Sequence, residues 1–251
     1  MQIKTKNFIV ISTLLISTVF SPISQASEQK KDNIYISAIE NEKRNQSDKK
    51  YDEKRNPWKI LPFTQIKAGD KVLELGAGGG YTTELLSWVV GESGRVYAHF
   101  LYNQERLKDN RLPNVISLRQ HSLNDHKVVL KENKIENNSL DAIVVFFVLH
   151  DIYLNNEMSD ELLATLYKAL KPGGNLIILD NAANPDSGLA QIGTLHRIGE
   201  NFVKVEIEKA GFVLVESTDV LRNKKDDHTK PWGDFEGLQD RFAFRFEKPV
   251  K

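Results

Sequence analysis

The stretch Val72-Leu73-Glu74-Leu75-Gly76-Ala77-Gly78-Gly79-Gly80 constrains the fold of this chain more than any other. A short apolar run ends in glycines, and Tyr81 to Val90 then carries apolar residues at helical spacing until Gly91 stops it. Strand, glycine turn and helix are the setting a nucleotide-binding loop needs. Glycines let the chain turn sharply and let a ligand lie against bare backbone. In an open α/β sheet such a ligand sits at the carboxyl ends of the strands, near the point where strand order reverses. The spacing separates ligand classes. A nicotinamide fingerprint wants a third glycine five residues after the first, where this chain has Tyr81. Here Gly76, Gly78 and Gly80 are preceded by Glu74, and a carboxylate there suits a cationic, amino-acid-bearing ligand better than a pyrophosphate.

The rest of the chain repeats the alternation. Strands are expected at Lys71 to Leu75, Arg95 to Phe100, Val115 to Leu118, the first half of Leu140 to Leu149, Asn175 to Leu179, Phe212 to Leu221 and Arg241 to Phe246. Helices are expected at Asp160 to Leu170, ended by Lys171-Pro172-Gly173-Gly174, and at Glu200 to Ala210, ended by Gly211. Strands alternating with helices predict a doubly wound, Rossmann-like α/β fold with helices on both faces. Only the loop Arg222 to Asp240 separates the last two strands, so the final strand is expected to run antiparallel. The result is a seven-stranded sheet, mostly parallel, with a C-terminal antiparallel strand.

The N-terminus reads differently. Lys4 and Lys6 precede the apolar run Phe8 to Phe20, and Pro22, Ser24 and Ala26 follow. This is the plan of a secretory signal, expected to be cleaved after Ala26, with an uncleaved N-terminal anchor as the alternative. The run is short for a membrane span, which needs about 20 apolar residues. An exported protein, periplasmic or secreted, is therefore expected, with no stable membrane insertion after cleavage. Residues 27–56 read as a polar extension leading into a loosely packed helix, and residues 57–251 as the folded domain. The chain has no cysteine, which excludes disulfides, a thiol nucleophile and a cysteine zinc site. Its formal net charge is +0 and no basic, aromatic-rich stripe points to nucleic acid, so a small molecule is the expected partner. No structural metal is expected.

Glu74-x-Gly76-x-Gly78-x-Gly80 resembles the first motif of class I S-adenosylmethionine-dependent methyltransferases. Ser139 to Val144 with Leu149-His150-Asp151 is similar to their fourth-strand motif, and Leu170-Lys171-Pro172-Gly173-Gly174 to their turn into the fifth strand. More narrowly, Asp52-x-x-Arg55-x-Pro57, Gly78 to Thr83, Thr194-Leu195-His196-Arg197, Ala210-Gly211-Phe212 and Leu221-Arg222-Asn223 resemble signal-peptide-bearing predicted bacterial methyltransferases. The resemblance implies S-adenosylmethionine as cofactor, held by Glu74, Gly76, Ala77, Gly78, Gly80, Tyr81 and Thr82. It also implies an acid at the end of the second strand for the ribose. This chain has none there, and Asn103 is the substitute.

Candidate acceptor-side residues are His150, Asp151, Asp180, His196 and Arg197. His150 could take a proton from an acceptor, since histidine titrates near neutral pH, or it could merely sit beside a helix start. Asp180 could position the acceptor or cap a turn. Arg197 could grip a carboxylate with two bonds or form a structural ion pair, and Arg222, Asp226 and Asp227 are expected to organise a loop. Trp58, Tyr81, Phe147 and Trp232 are candidates for an apolar pocket or for core. Three functional readings follow: an exported enzyme methylating a small molecule, a non-catalytic binding protein that retains the fold, or a nicotinamide oxidoreductase, against which Tyr81 and the terminal antiparallel strand argue.

Overall fold

A computed structural model describes residues 34–118, 130–235 and 238–250. The expected signal segment 1–26 lies outside them, as do His121 and His126.

A single seven-stranded sheet organises the chain in the order β3-β2-β1-β4-β5-β7-β6. The strands are β1 (Lys71–Leu75), β2 (Arg95–His99), β3 (Val115–Leu118), β4 (Leu140–Phe146), β5 (Leu170–Asn181), β6 (Val213–Thr218) and β7 (Arg241–Glu247). Strands β1 to β5 pair in parallel, whereas β7 is antiparallel to both β5 and β6. Strand order reverses between β1 and β4, so the crevice at their carboxyl ends is the expected ligand site.

Side chains on successive strand residues point to opposite faces, and both faces here are apolar. Val72, Ala142, Val144, Ile177 and Leu179 join one core. Leu73, Ile143, Val145, Leu176, Ile178 and the three phenylalanines of β7 join the other. Helix α4 (Tyr81–Val90) covers the first face through Leu85, Leu86 and Val89. Helices α6 (Asp160–Ala169) and α8 (Glu200–Lys209) cover the second through Leu162, Leu163, Leu166, Val203 and Ile207.

The structure corrects three expectations. Helix α6 stops at Ala169, and Leu170 is already extended (φ −69°, ψ 141°), pairing with Leu140 across a register shift. Pro172, which cannot donate within a helix, falls inside a longer β5 instead. Strand β6 ends at Thr218, short of Leu221. The largest change is at the N-terminus, where loose packing does not hold. Helix α1 (34–40) places Tyr35, Ala38 and Ile39 in the core beside Ile60, Leu61 and Leu86, and the Tyr35 hydroxyl donates to the Ile66 carbonyl at 2.8 Å. Burying two large apolar side chains contributes about 1.5–3 kcal/mol each. Among the described residues no helix is long and apolar enough to cross a membrane.

The segment after α1 is tied down by buried charge. A 3-10 helix (Gln46–Tyr51) leads into α2 (Asp52–Arg55) and α3 (Pro57–Thr64). Arg44 donates to both oxygens of Asp52, at 2.7 and 2.6 Å, and the Tyr81 hydroxyl adds a third bond to that carboxylate at 2.7 Å. Asp48 accepts from Arg106, which also pairs with Glu84 at 2.7 Å. Breaking a buried pair strands its partner's charge and costs about 3–5 kcal/mol, whereas one hydroxyl bond is worth about 1 kcal/mol. Urea denaturation of Arg44→Ala should therefore show a loss of several kcal/mol, and Tyr81→Phe a loss of about 1 kcal/mol.

Candidate functional site

The carboxyl ends of β1, β4 and β5 open onto two adjoining cavities. One, of about 470 Å³, lies over the glycine loop and is lined by Glu74, Gly76 to Gly79, Tyr81, Thr82, Asn103 and residues of the N-terminal segment. The other, of about 550 Å³, is lined by His150, Asp151, Asn181, His196, Trp232, Gln239 and Arg241 among others. Tyr51, Arg55 and Phe147 line both.

The glycine loop is shaped by what surrounds it. Gly76 has φ +70°, and a Cβ there would stand 2.6 Å from both methyl groups of Val148. Gly80, expected to touch a cofactor, does not line the cavity. Its missing side chain makes room for Arg106, whose Cδ would collide with a Cβ at this position. The backbone oxygen of Gly79 accepts from the same arginine.

Glu74, Ala77, Gly78, Tyr81, Thr82 and Asn103 stand on the wall as expected. Tyr81, however, spends its hydroxyl on Asp52 and offers only its ring, with the Arg55 guanidinium 4.6 Å from the ring centre. The missing acid at the end of β2 is replaced along that wall by Tyr102 and Asn103, and Asp48 reaches the cavity from the N-terminal segment.

Glu74 carries the most telling electrostatics. It is fully buried, and the Thr83 hydroxyl donates to it at 2.5 Å. Burial pushes its pKa from 4.5 to about 7, against the opposing pull of Thr83, Arg55 and Arg106. A buried carboxylate at the edge of a cavity is poised for a cation.

On the other side, His150 is the second residue of helix α5 (Leu149–Leu154), which follows β4 after Phe147 and Val148. Its Nδ1 lies 2.7 Å from Oδ1 of Asp180, and its backbone N–H donates to the other oxygen at 2.9 Å. Asp180 is fully buried behind the histidine and does not line the cavity. Its contact with the cavity runs through His150. Burial disfavours charge on His150, but the Asp180 carboxylate outweighs it, and the net pKa lies above the ordinary histidine value.

His196 caps α7 (Ile192–Leu195) in the left-handed region, φ 51°. Its Nδ1 lies 3.3 Å from Asp151. His150, Asp151 and His196 bring three potential ligand atoms within 4.8 Å of one another, a set that could hold a metal ion. No metal was expected from the sequence; residues far apart in the chain are brought together here by the fold.

Arg197 does not face an acceptor. It is fully buried, paired with Asp226 at 2.8 Å and donating to the carbonyls of Ala182 and Lys230, each at 2.9 Å. It ties down the chain at Asp226 and Lys230, and Trp232, Gly233 and Gln239 beyond them line the second cavity. Phe147 and Trp232 line this cavity, Tyr81 lines the first, and Trp58 is 45% exposed and lines neither.

Two cations were not singled out from the sequence as acceptor residues. Arg55 and Arg241 stand over the Phe147 ring, 5.4 and 4.7 Å from its centre. Arg241 donates to the Lys54 carbonyl at 2.9 Å, its Nε is buried without a partner, and neither arginine forms an ion pair among the described residues. Burial, together with Arg55, lowers the Arg241 pKa to about 10. Arg55 was visible only as part of the Asp52-x-x-Arg55-x-Pro57 pattern; Arg241 carried no signal beyond a strand start.

The strand order and the glycine loop over a reversal point define a class I methyltransferase fold. Residues 73–178 match the family model described as a methyltransferase domain. Phosphoethanolamine N-methyltransferase 1 of Triticum aestivum is 34% identical over 134 residues, covering 53% of this chain and 25% of that protein. A ubiquinone/menaquinone biosynthesis C-methyltransferase of Psychromonas ingrahamii is 32% identical over 129 residues, covering 49% of this chain and 48% of that protein. The chain thus spans half or less of the length of these curated relatives. A crystal structure of an S-adenosylmethionine-dependent methyltransferase from Aquifex aeolicus shares the fold over 80% of this chain and 97% of that one, with a TM-score of 0.57 and 22% identity.

The Glu74 environment predicts a sign. In the apoprotein Glu74 keeps its proton up to about pH 7, whereas the unfolded chain loses it near 4.5. The folded state therefore binds more protons between those values, and stability falls as pH rises through that window. At about 1.4 kcal/mol per pH unit the cost reaches about 3 kcal/mol at pH 8. Chemical denaturation from pH 4.5 to 8 should show the stability of Glu74→Gln rising relative to the native chain by up to that amount.

Proposed function

We propose that this protein is an exported S-adenosylmethionine-dependent methyltransferase acting on a small, anionic acceptor. The observation that carries the reading is the pair of cavities meeting at Phe147, one over a glycine loop with a buried acid, the other holding a histidine cluster. The residues present fit the cofactor. Glu74 offers a buried carboxylate to a ligand bearing an ammonium and a sulfonium, and bare backbone at Gly76 to Gly79 lets a nucleoside approach closely. Tyr102 and Asn103 stand where the ribose is expected. When bound, the cofactor supplies an electrophilic methyl group on sulfur, and the protein's task is alignment.

The second cavity performs that alignment. Phe147 forms the boundary between donor and acceptor, held with φ +59° and its N–H donating to the Leu179 carbonyl at 2.7 Å. Arg55 and Arg241 lack anionic partners among the described residues, and a carboxylate or phosphate on the acceptor would satisfy them. His150, oriented by Asp180, presents Nε2 beside Asp151 on the wall of the second cavity. The signal-like residues 1–26 support export to the periplasm or outside the cell, with the cofactor encountered before or after passage.

Calorimetric titration with S-adenosylmethionine and S-adenosylhomocysteine tests this reading, with Gly78→Arg as control. Gly78 has φ +57°, and the nearest atoms to a Cβ placed there would stand 3.8 Å away, so an arginine side chain would enter the cavity. Micromolar binding is expected in the native chain and should vanish in the variant. Affinity should increase from pH 6 to 8 as Glu74 loses its proton. An absence of binding up to millimolar cofactor would leave a protein that retains the fold without the activity.

A further inference from the structure

Three ligand atoms from two helices converge beside the acceptor cavity. Nε2 of His150 lies 3.4 Å from Oδ1 of Asp151, and Nδ1 of His196 lies 3.3 Å from the same oxygen. A tetrahedral ion with bonds of about 2.0–2.1 Å sets its ligands about 3.3–3.4 Å apart. Two of the three edges already have that length.

The surroundings are those of a ligand set. The other ring nitrogen of His150 is engaged by Asp180 at 2.7 Å. A carboxylate in that position fixes the tautomer, leaves the Nε2 lone pair facing outward and raises its basicity toward a metal. His196 is held by its backbone: its carbonyl accepts from Asn181 Nδ2 at 3.2 Å. The two imidazoles stand edge to face at 5.6 Å, so neither ring fills the gap between them. Two imidazoles and one carboxylate favour zinc, cobalt or nickel over magnesium or calcium.

We propose that His150, Asp151 and His196 bind a divalent transition-metal ion of the zinc class, with an open coordination position facing the acceptor cavity. The metal site stands on its own geometry; its role rests on the methyltransferase reading and deepens it. The acceptor is then a metal-binding oxygen or sulfur compound. On coordination its O–H or S–H proton leaves to solvent. The resulting anion attacks the methyl carbon, the new O–C or S–C bond forms as the sulfonium S–C bond breaks, and the departing sulfur keeps that electron pair. The methylated product carries one negative charge less, is a poorer ligand and departs.

The test is titration of metal-stripped, untagged full-length protein with zinc by calorimetry at pH 7.5, and with cobalt by visible absorption. One ion per chain with micromolar or tighter affinity is expected, together with the intense cobalt bands of a four-coordinate site. His196→Ala, at a half-exposed position, should weaken binding at least 100-fold, and Asp180→Asn should weaken it about 10- to 100-fold. Circular dichroism and S-adenosylmethionine titration of each variant report whether the fold and the first cavity survive. Zinc binding weaker than millimolar, or unchanged in His196→Ala, overturns the metal site. Cofactor binding without zinc binding would overturn this inference alone. Zinc binding without cofactor binding would support the metal site and overturn the methyltransferase reading.

Discussion

The rest of the site depends on a buried ionic clamp between the segment 44–52 and the start of α4. Arg44, Asp52 and Tyr81 form one half of it, and Asp48, Arg106 and Glu84 the other. Buried charges are costly unless every partner is in place. That strictness is what makes the clamp useful: it permits one placement of the N-terminal segment over the glycine loop. Tyr51 and Arg55 follow directly from the clamp and complete the wall shared by both cavities.

A second constraint comes from the far edge of the sheet. Strand β7 runs antiparallel between β5 and β6, so the chain returns to the carboxyl ends of the parallel strands before β7 begins. Trp232, Gly233 and Gln239, which precede β7, therefore stand on the second cavity, and the Arg197–Asp226 pair ties down the chain ahead of them. Asp240 adds a further tie, accepting from Arg222 at 3.2 Å and from the Asn223 N–H at 2.7 Å. The terminal strand that distinguishes this sheet from a dinucleotide-binding one also brings Arg241 to the wall of the second cavity.

These two anchors set a buried acid and two arginines around Phe147. Glu74 backs the cavity over the glycine loop, Arg241 lines only the other, and Arg55 stands at the aromatic boundary and lines both. The arrangement suits a cationic ligand over the glycine loop and an anionic one beside Arg241. Low dielectric around these groups strengthens both preferences.

What the sequence determined by itself was whatever depends on neighbours in the chain. Period-two and period-3.6 patterns marked the strands and helices, because those repeats decide which side chains can share a face. The glycine loop with Glu74, and the long final loop before an antiparallel strand, were equally legible. Tertiary structure alone decided the meaning of single polar residues. Arg197, a candidate acceptor ligand by sequence, is consumed by Asp226 because the loop folds back beneath it. Gly80 leaves room for Arg106, and Asp180 is buried against His150. Arg241 and the meeting of His150 with His196 were invisible for the same reason: a charge or an imidazole acquires its role from partners distant in the chain, and no local pattern records which partners the fold will bring.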